Sequence, residues 1–564
     1  MNDPKLDLVL LWHMHQPDFR DQASGEFRQP WVYLHAIKDY SDMAAHLEAH
    51  PGVRAVVNFT PVLLDQLEDY ADQFATGAFR DPLLRLLARP DPFAPDPSER
   101  RLILDSCFKA NRAKLIESYP AYRGLADLLQ LARDQGATGP DYLSPQYLAD
   151  LLTWYHLAWV GETVRRADPL ATRLLVKAQG FSGEDRRQLL ALIGREVAQV
   201  IPRYRALAER NQIELTTSPS RHPIGPLLIS FESAREASPD VPLPAAPRYP
   251  GGHARAQAHV RAARESHERR FGRPPRGMWP AEGAISTEFA AQLAGHGCEW
   301  LASGEGVLLN SLQRQGESLP ERARFLYRPY RVGTLAPLTA FFRDDRLSDL
   351  IGFEYAKWHS DEAAANFIEA LEAIRTAGHS GGRPVVSVIL DGENAWEHYP
   401  YNGFYFLDSL YAALEAHASI ETTTFAALID EGREAAALPS LVAGSWVYGN
   451  FTTWIGSPDK NRAWDLLCAA KQRYDEVMER GGLPASQREA AERQLADCEA
   501  SDWCWWFGDY NPPESVLAFD ALYRAKLSNL YRLLGLEAPA ELGVPISQGG
   551  TQAGGTEGAM RRAS

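Results

Sequence analysis

LDLVLLWHMHQPD, residues 6–18, is an almost unbroken apolar run that ends in His13 and His15 before Gln16 and Pro17 turn the chain. Continuous apolar character, rather than alternation, marks a strand buried on both faces, as in a parallel sheet. VRAVVNF (53–59) and PVVSVIL (384–390) share that character. Amphipathic stretches lie between such runs. DEAAANFIEALEAIRTAG (361–378) reads as a helix running to a glycine, and ISTEFAAQLAGHG (285–297) as a helix that Ser286 caps. Strands and helices in this order predict an α/β barrel or layered sheet.

The 564 residues suffice for one large barrel with appendages, and 45% hydrophobic with 23% charged residues is ordinary globular composition. A net charge of −15 argues against a nucleic-acid surface, which needs a Lys/Arg excess to displace counterions. The 14 Trp, 22 Tyr and 22 Phe suit a neutral ligand with flat apolar faces, such as a sugar. Cys107, Cys298, Cys468, Cys498 and Cys504 form no CxxC pair, which disfavours a disulfide framework and a thiolate metal site. The first apolar run is too short to cross a membrane and lacks a signal-cleavage pattern, so it reads as the first strand of a cytoplasmic protein.

From about residue 438 the character turns helical, in SPDKNRAWDLLCAAKQRYDEVMERGG (457–482), SQREAAERQLADCEASDWCWWF (486–507) and ESVLAFDALYRAKLSNLYRLLG (514–535). This predicts a barrel over 1–437 and a helical C-terminal domain over 438–537. The Gly- and Ser-rich 538–564 is expected to be a disordered tail.

Reactive side chains of a parallel-strand barrel gather at the strands' C-terminal ends. Four places qualify: His13 and His15 after the first run, Glu214 in QIELTTSPSRHPIGPLL (212–228) with His222 in a Pro-bounded loop, Glu282 in GMWPAEGAIS (277–286), and Asp391 in VVSVILDGENAWEHY (385–399). Taken singly, each has a structural reading, as an interior histidine, a paired buried carboxylate or a turn after a strand. Together, Glu282 and Asp391 in a Trp-walled pocket have what glycoside hydrolysis needs: one carboxylate to attack the anomeric carbon and one kept protonated for the leaving oxygen. Burial beside Trp279 is expected to raise one of the two pKa values. His13, His15, Gln16 and Glu214 are expected to hold sugar hydroxyls.

With these residues in place, the chain resembles glycoside hydrolase family 57. HMHQP, IELTTSPSRHPIGPLL, GMWPAEGAIS, VVSVILDGENAWEHY and SPDKNRAWDLLCAA look like its five ordered motifs, and FFRDDRLSDLIGF, GSWVYGNFTTWIG and SDWCWWFGD also match. The resemblance spans roughly residues 5–537 and implies an incomplete, TIM-like (β/α)7 barrel, followed by a helical domain that completes the substrate groove. It implies Glu282 as nucleophile and Asp391 as general acid/base of a retaining enzyme that cuts α-1,4, and in some members α-1,6, glucosidic bonds. Sugar-binding roles follow for His13, His15, Glu214, Trp279 and Arg343, with Trp446, Trp454 and Asp502 shaping the acceptor side. No metal or other cofactor is implied, and no membrane or obligate protein partner; the partner is an α-glucan or maltooligosaccharide.

The motif wording is closest to amylopullulanase-like members. Branching members carry a Cys where this chain has Gly283, so 4-α-glucanotransferase or branching activity ranks second. Ser303-Gly304 and Arg221 depart from the family's usual Thr-Asp and aromatic residue. Two rival readings are a metal-dependent deacetylase, since His-x-His at a strand end can bind zinc given a third ligand, and a glucan-binding protein without turnover.

Overall fold

A computed structural model describes residues 5–316, 321–333, 338–377, 379 and 382–550. The strands are β1 (Leu6–Met14), β2 (Ala55–Phe59), β3 (Ile213–Thr217), β4 (Gly277–Met278), β5 (Trp300–Ser303), β6 (Tyr330–Val332), β7 (Leu338–Phe342), β8 (Val385–Asp391), β9 (Ile420–Thr423) and β10 (Ala436–Leu438). Seven run parallel in the order β7-β5-β4-β3-β2-β1-β8. A parallel bridge between Arg343 and Ser387, with Asp344 N donating to Ser387 O at 2.7 Å, brings β7 back to β8. One bridge in place of a ladder makes this the weak seam of a seven-stranded, incompletely closed barrel. β6 and β10 extend the β7 edge outward, and β9 pairs with the first half of β1.

Alternation along each strand sorts its side chains. Leu8, Leu10, Trp12 and Met14 face the surrounding helices, whereas Val9 and Leu11 join Val56, Trp279, Trp300, Phe341 and Ile389 in a smaller core inside the barrel. Helix Phe425–Asp430 fills that interior from below, Phe425 stacking on Phe341 at 4.3 Å. Both strand faces are therefore dry, which is why these runs are apolar throughout.

Two features depart from expectation. Between β2 and β3 the chain builds a helical subdomain that includes Pro61–Thr76, Pro120–Asp134, Pro145–Trp159 and Gly183–Glu209. The tail expected from residue 538 does not hold for 538–550: Leu542, Ile546 and Ser547 are buried, and Ile546 N and Ser547 N donate to Asp520 on helix Pro513–Leu533. Residues 551–564 of that expected tail lie outside the described ones. The C-terminal helices are Pro458–Arg480, Ala485–Cys498, Asp502–Trp506 and Pro513–Leu533, and the break after Cys498 delivers Ser501 and Asp502 to the barrel mouth. All five cysteines are buried and free.

Candidate active site

Strand register sets the site. His13 lies opposite Asn58 on β2 and Asp391 on β8, and Asn58 lies opposite Thr216 on β3, so these positions form the topmost interior layer at the C-terminal ends. His13 Nδ1 meets Asn58 Oδ1 at 2.7 Å. His15 Nδ1 meets Thr60 Oγ1 at 3.1 Å and its Nε2 meets Asp502 Oδ1 at 2.8 Å. His222, held at φ 58°, stacks on His15 with centroids 3.8 Å apart, and its Nδ1 meets Ser501 Oγ at 2.9 Å. Burial first, then neighbouring imidazoles, lowers His13 to about 3 and His222 well below the usual histidine range. These two rings are thus neutral near pH 7, suited to hydrogen-bonding an uncharged ligand.

Glu282 sits on the turn after β4 at φ 59°, ψ 23°, a left-handed conformation uncommon for a residue with a side chain. Several neighbours fix it there. Trp446 N donates to the Glu282 carbonyl at 3.1 Å, Ile285 and Gly444 exchange backbone hydrogen bonds, and Ser303 Oγ donates to the Gly283 carbonyl at 2.6 Å. Gly283 is itself at φ 58°, and a Cβ there would lie 2.8 Å from the Trp279 ring. A Cβ on Gly304 would lie 2.6 Å from Trp446 Cα. The Ser303-Gly304 departure therefore has a local role: the hydroxyl pins the Glu282 turn, and the missing side chain admits the Trp446 loop.

The Glu282 carboxylate accepts from Trp446 Nε1 at 3.2 Å and Ser501 Oγ at 3.1 Å. Asp391 accepts from Asn394 Nδ2 at 2.8 Å. Burial, followed by the charges of Asp391 and Asp502, raises Glu282 to about 8. Burial raises Asp391 to about 6, against the pull of Asn394, His15 and Arg343. Between those values the pair holds one proton, and the values put it on Glu282, whereas attack by Glu282 needs it on Asp391. The two donors that face Glu282, Trp446 Nε1 and Ser501 Oγ, favour its anion but are outweighed by burial and by the charges of Asp391 and Asp502, so attack by Glu282 requires the shared proton to pass to Asp391. The two carboxyls titrate as a unit. A bell-shaped kcat/KM is expected, with limbs near pH 6, where the nucleophile is lost to protonation, and near pH 8, where the acid is lost to ionisation. A single limb, or a profile flat from pH 5 to 9, would contradict this pairing.

The other expected residues divide. Gln16 Nε2 donates to Glu393 Oε1 at 3.3 Å, and Glu393, buried behind the site, also accepts from His15 N at 3.1 Å. Trp279, expected to bind sugar, is instead fully buried beneath the Glu282 turn, 5.3 Å from Trp446 and edge-on to it, and shows no surface to solvent. Glu214 is corrected: it lies one interior layer lower, level with Val56, Leu11 and Ile389. Its two oxygens accept from Trp300 Nε1 at 2.8 Å and Ala426 N at 2.9 Å, so it anchors the plugging helix instead of facing a sugar. Arg343 clasps the weak seam, donating to Ile389 O at 2.8 Å and to Asp345 and Asp349 at 2.8 and 2.9 Å beneath the Trp446 ring. Trp454 is corrected too: it is fully buried, 5.9 Å from Trp505, and shows no surface to solvent.

Asn58 and Ser501 were not among the expected site residues, and His222 stood in one of the four qualifying stretches without a role. Asn58 is the polar residue next to the end of VRAVVNF, so the strand-end rule applied to that run finds it. Ser501 has no local signal, because its stretch reads as one continuous helix.

His222 Nε2, Trp279 Nε1 and Asp502 Oδ2 are among the buried polar atoms of the described residues that have no hydrogen-bond partner, as are Trp454 Nε1 and atoms outside this site such as Tyr155 Oη and Trp159 Nε1. His15, His222 and Asp502 also place ligand atoms within 4.8 Å of one another. They make a poor metal site, because the two rings lie face to face, only 21° from parallel, and their nitrogen lone pairs run alongside each other instead of converging.

Residues 9–439 match the family model described as Glycosyl hydrolase family 57. Among solved structures, a family 57 branching enzyme from Thermococcus kodakaraensis aligns with TM-score 0.56 at 15% identity, over 94% of this chain and 90% of its own. The corresponding branching enzyme from Pyrococcus horikoshii gives 0.56 at 18%, over 95% and 93%. An α-amylase from Thermotoga maritima gives 0.54 at 14%, over 95% of each chain. At these identities the likeness is one of fold. No curated protein matches the chain.

Proposed function

Because the chain belongs to glycosyl hydrolase family 57, we propose that it cleaves α-1,4-glucosidic bonds of α-glucans by a retaining, double-displacement mechanism, in the manner of amylopullulanase-like members of the family and in the cytoplasm. The observation that carries this reading is the pair of carboxylates, Glu282 and Asp391, each raised by burial at the barrel mouth and together holding one proton near neutrality. Glu282 attacks the anomeric carbon while Asp391 protonates the departing oxygen; Asp391 then deprotonates the water that releases the sugar. His13, His15 and His222 supply neutral polar groups for hydroxyls. Ser501 and Trp446 steady the Glu282 carboxylate, and residues 438–537 complete the groove.

Product analysis on amylose, pullulan and maltoheptaose, with and without chelator, tests this. New reducing ends that persist in chelator are expected, and pullulan cleavage would add α-1,6 activity. Redistributed chain lengths without new reducing ends would make the enzyme a glucanotransferase or branching enzyme. Inertness on every glucan would refute the reading.

A further inference from the structure

Trp446, whose indole touches the Glu282 carboxylate, is followed two residues later by Tyr448, a bulky aromatic at φ 57° whose residue surface is 49% exposed. A non-glycine aromatic in the left-handed region is a conformational outlier, and asparagine or glycine would sit there at lower cost. The surrounding loop cannot relax to relieve it. Ser445 Oγ donates to the Asn450 carbonyl at 2.7 Å and accepts from Val447 N at 3.1 Å. Asn310 Nδ2 donates to the Gly449 carbonyl at 3.1 Å, and a Cβ on Gly306 would lie 3.0 Å from Gly449 Cα, so the loop is packed backbone to backbone. Trp446 N is in turn bonded to the Glu282 carbonyl. The fold thus fixes the backbone that carries the exposed Tyr448 side chain, two residues from Trp446, whose indole reaches the Glu282 carboxylate. Nothing in the packing requires an aromatic there, since the ring is not in the core.

We infer that Tyr448 is a sugar-stacking platform that binds a glucosyl unit of an α-glucan chain beyond the unit undergoing reaction. The inference rests on the α-glucan reading above and adds a specificity element to it. An aromatic ring offers a flat apolar face to the C–H face of a pyranose and loses little freedom on binding when its backbone is already locked. Its contribution should grow with substrate length, because only a chain long enough to leave the catalytic centre can reach it.

Tyr448→Gly is the informative variant, since glycine takes the observed φ without strain. Relative to wild type, kcat/KM for maltoheptaose is expected to fall about tenfold further than kcat/KM for α-maltosyl fluoride, chiefly through KM. The thermal midpoint should hold or rise, and Tyr448→Phe should retain long-chain activity. Equal losses on both substrates, no loss on either, or a lowered midpoint with Tyr448→Gly would overturn the platform role. If wild type turns over no glucan, the functional reading itself fails, an outcome distinct from a wild type that works and a variant that matches it.

Discussion

Glu282→Gly and Asp391→Ala each lower glucan hydrolysis by on the order of 10⁴-fold or more, as expected when a nucleophile or its partner acid is removed. The two losses should differ in how they are repaired, and that difference assigns the roles independently of where the free site keeps its proton. With α-maltosyl fluoride and azide, removal of the nucleophile leaves the β face open, and azide entering there gives a β-glycosyl azide. Removal of the acid/base still allows the glycosyl-enzyme to form, because fluoride departs with little protonation; azide then attacks from the α face and gives the α-azide. Glycine is the right replacement at position 282 because φ 59° suits it and the lost side chain leaves room for the anion. The opposite pattern of anomers would exchange the roles of Glu282 and Asp391. The same anomer from both variants would refute a retaining pair.

Arg221→Met destabilises the protein by about 3–5 kcal/mol, the range measured when one partner of a buried ionic cluster is removed. Arg221 is 8% exposed, and its guanidinium lies 3.1 Å from Asp65 and 3.2 Å from Asp497, with Asp18 at 3.9 Å. Asp18 and Asp497 are shared with Lys526, and Asp18 also with Arg20. The cluster joins the loop before His222 to helices Ala485–Cys498 and Pro513–Leu533, so Arg221 acts as a tie between barrel and helical domain. An aromatic residue at this position would leave Asp497 buried with less compensation. Denaturant unfolding measures the effect, and pairing Arg221→Met with Asp497→Leu should recover part of the loss. A change below about 1 kcal/mol would mean the cluster tolerates the missing charge.

How much of this was legible in the sequence depends on length and burial. β1, β2 and β8 are long enough to show as continuous apolar runs, and they are neighbours in the sheet. β4 has two residues, and β6 and β10 have three each, too few for any periodicity to register. The Ser286 cap was readable because its chemistry is local, and Ser286 Oγ does accept from Phe289 N at 3.2 Å. The helical subdomain after β2 went unread, although proline opens many of its helices. At the site, strand-end polar residues were legible from position alone. Glu214 misled because period-two alternation places it inside the barrel without saying how deep, and register supplied the depth. Ser501 needed the tertiary fold, since only the packing of a distant helix break brings it to Glu282.

The sheet order carries a consequence for how the chain is made. Of the strands in this sheet β1 leaves the ribosome first, yet its edges belong to β2, β9 and β8. β2 follows within about fifty residues, but β8 and β9 end at Asp391 and Thr423. At about 5–20 residues per second, the long edge of β1 waits tens of seconds for its partner. During that interval an apolar strand with unpaired backbone groups is open to pairing with other nascent chains.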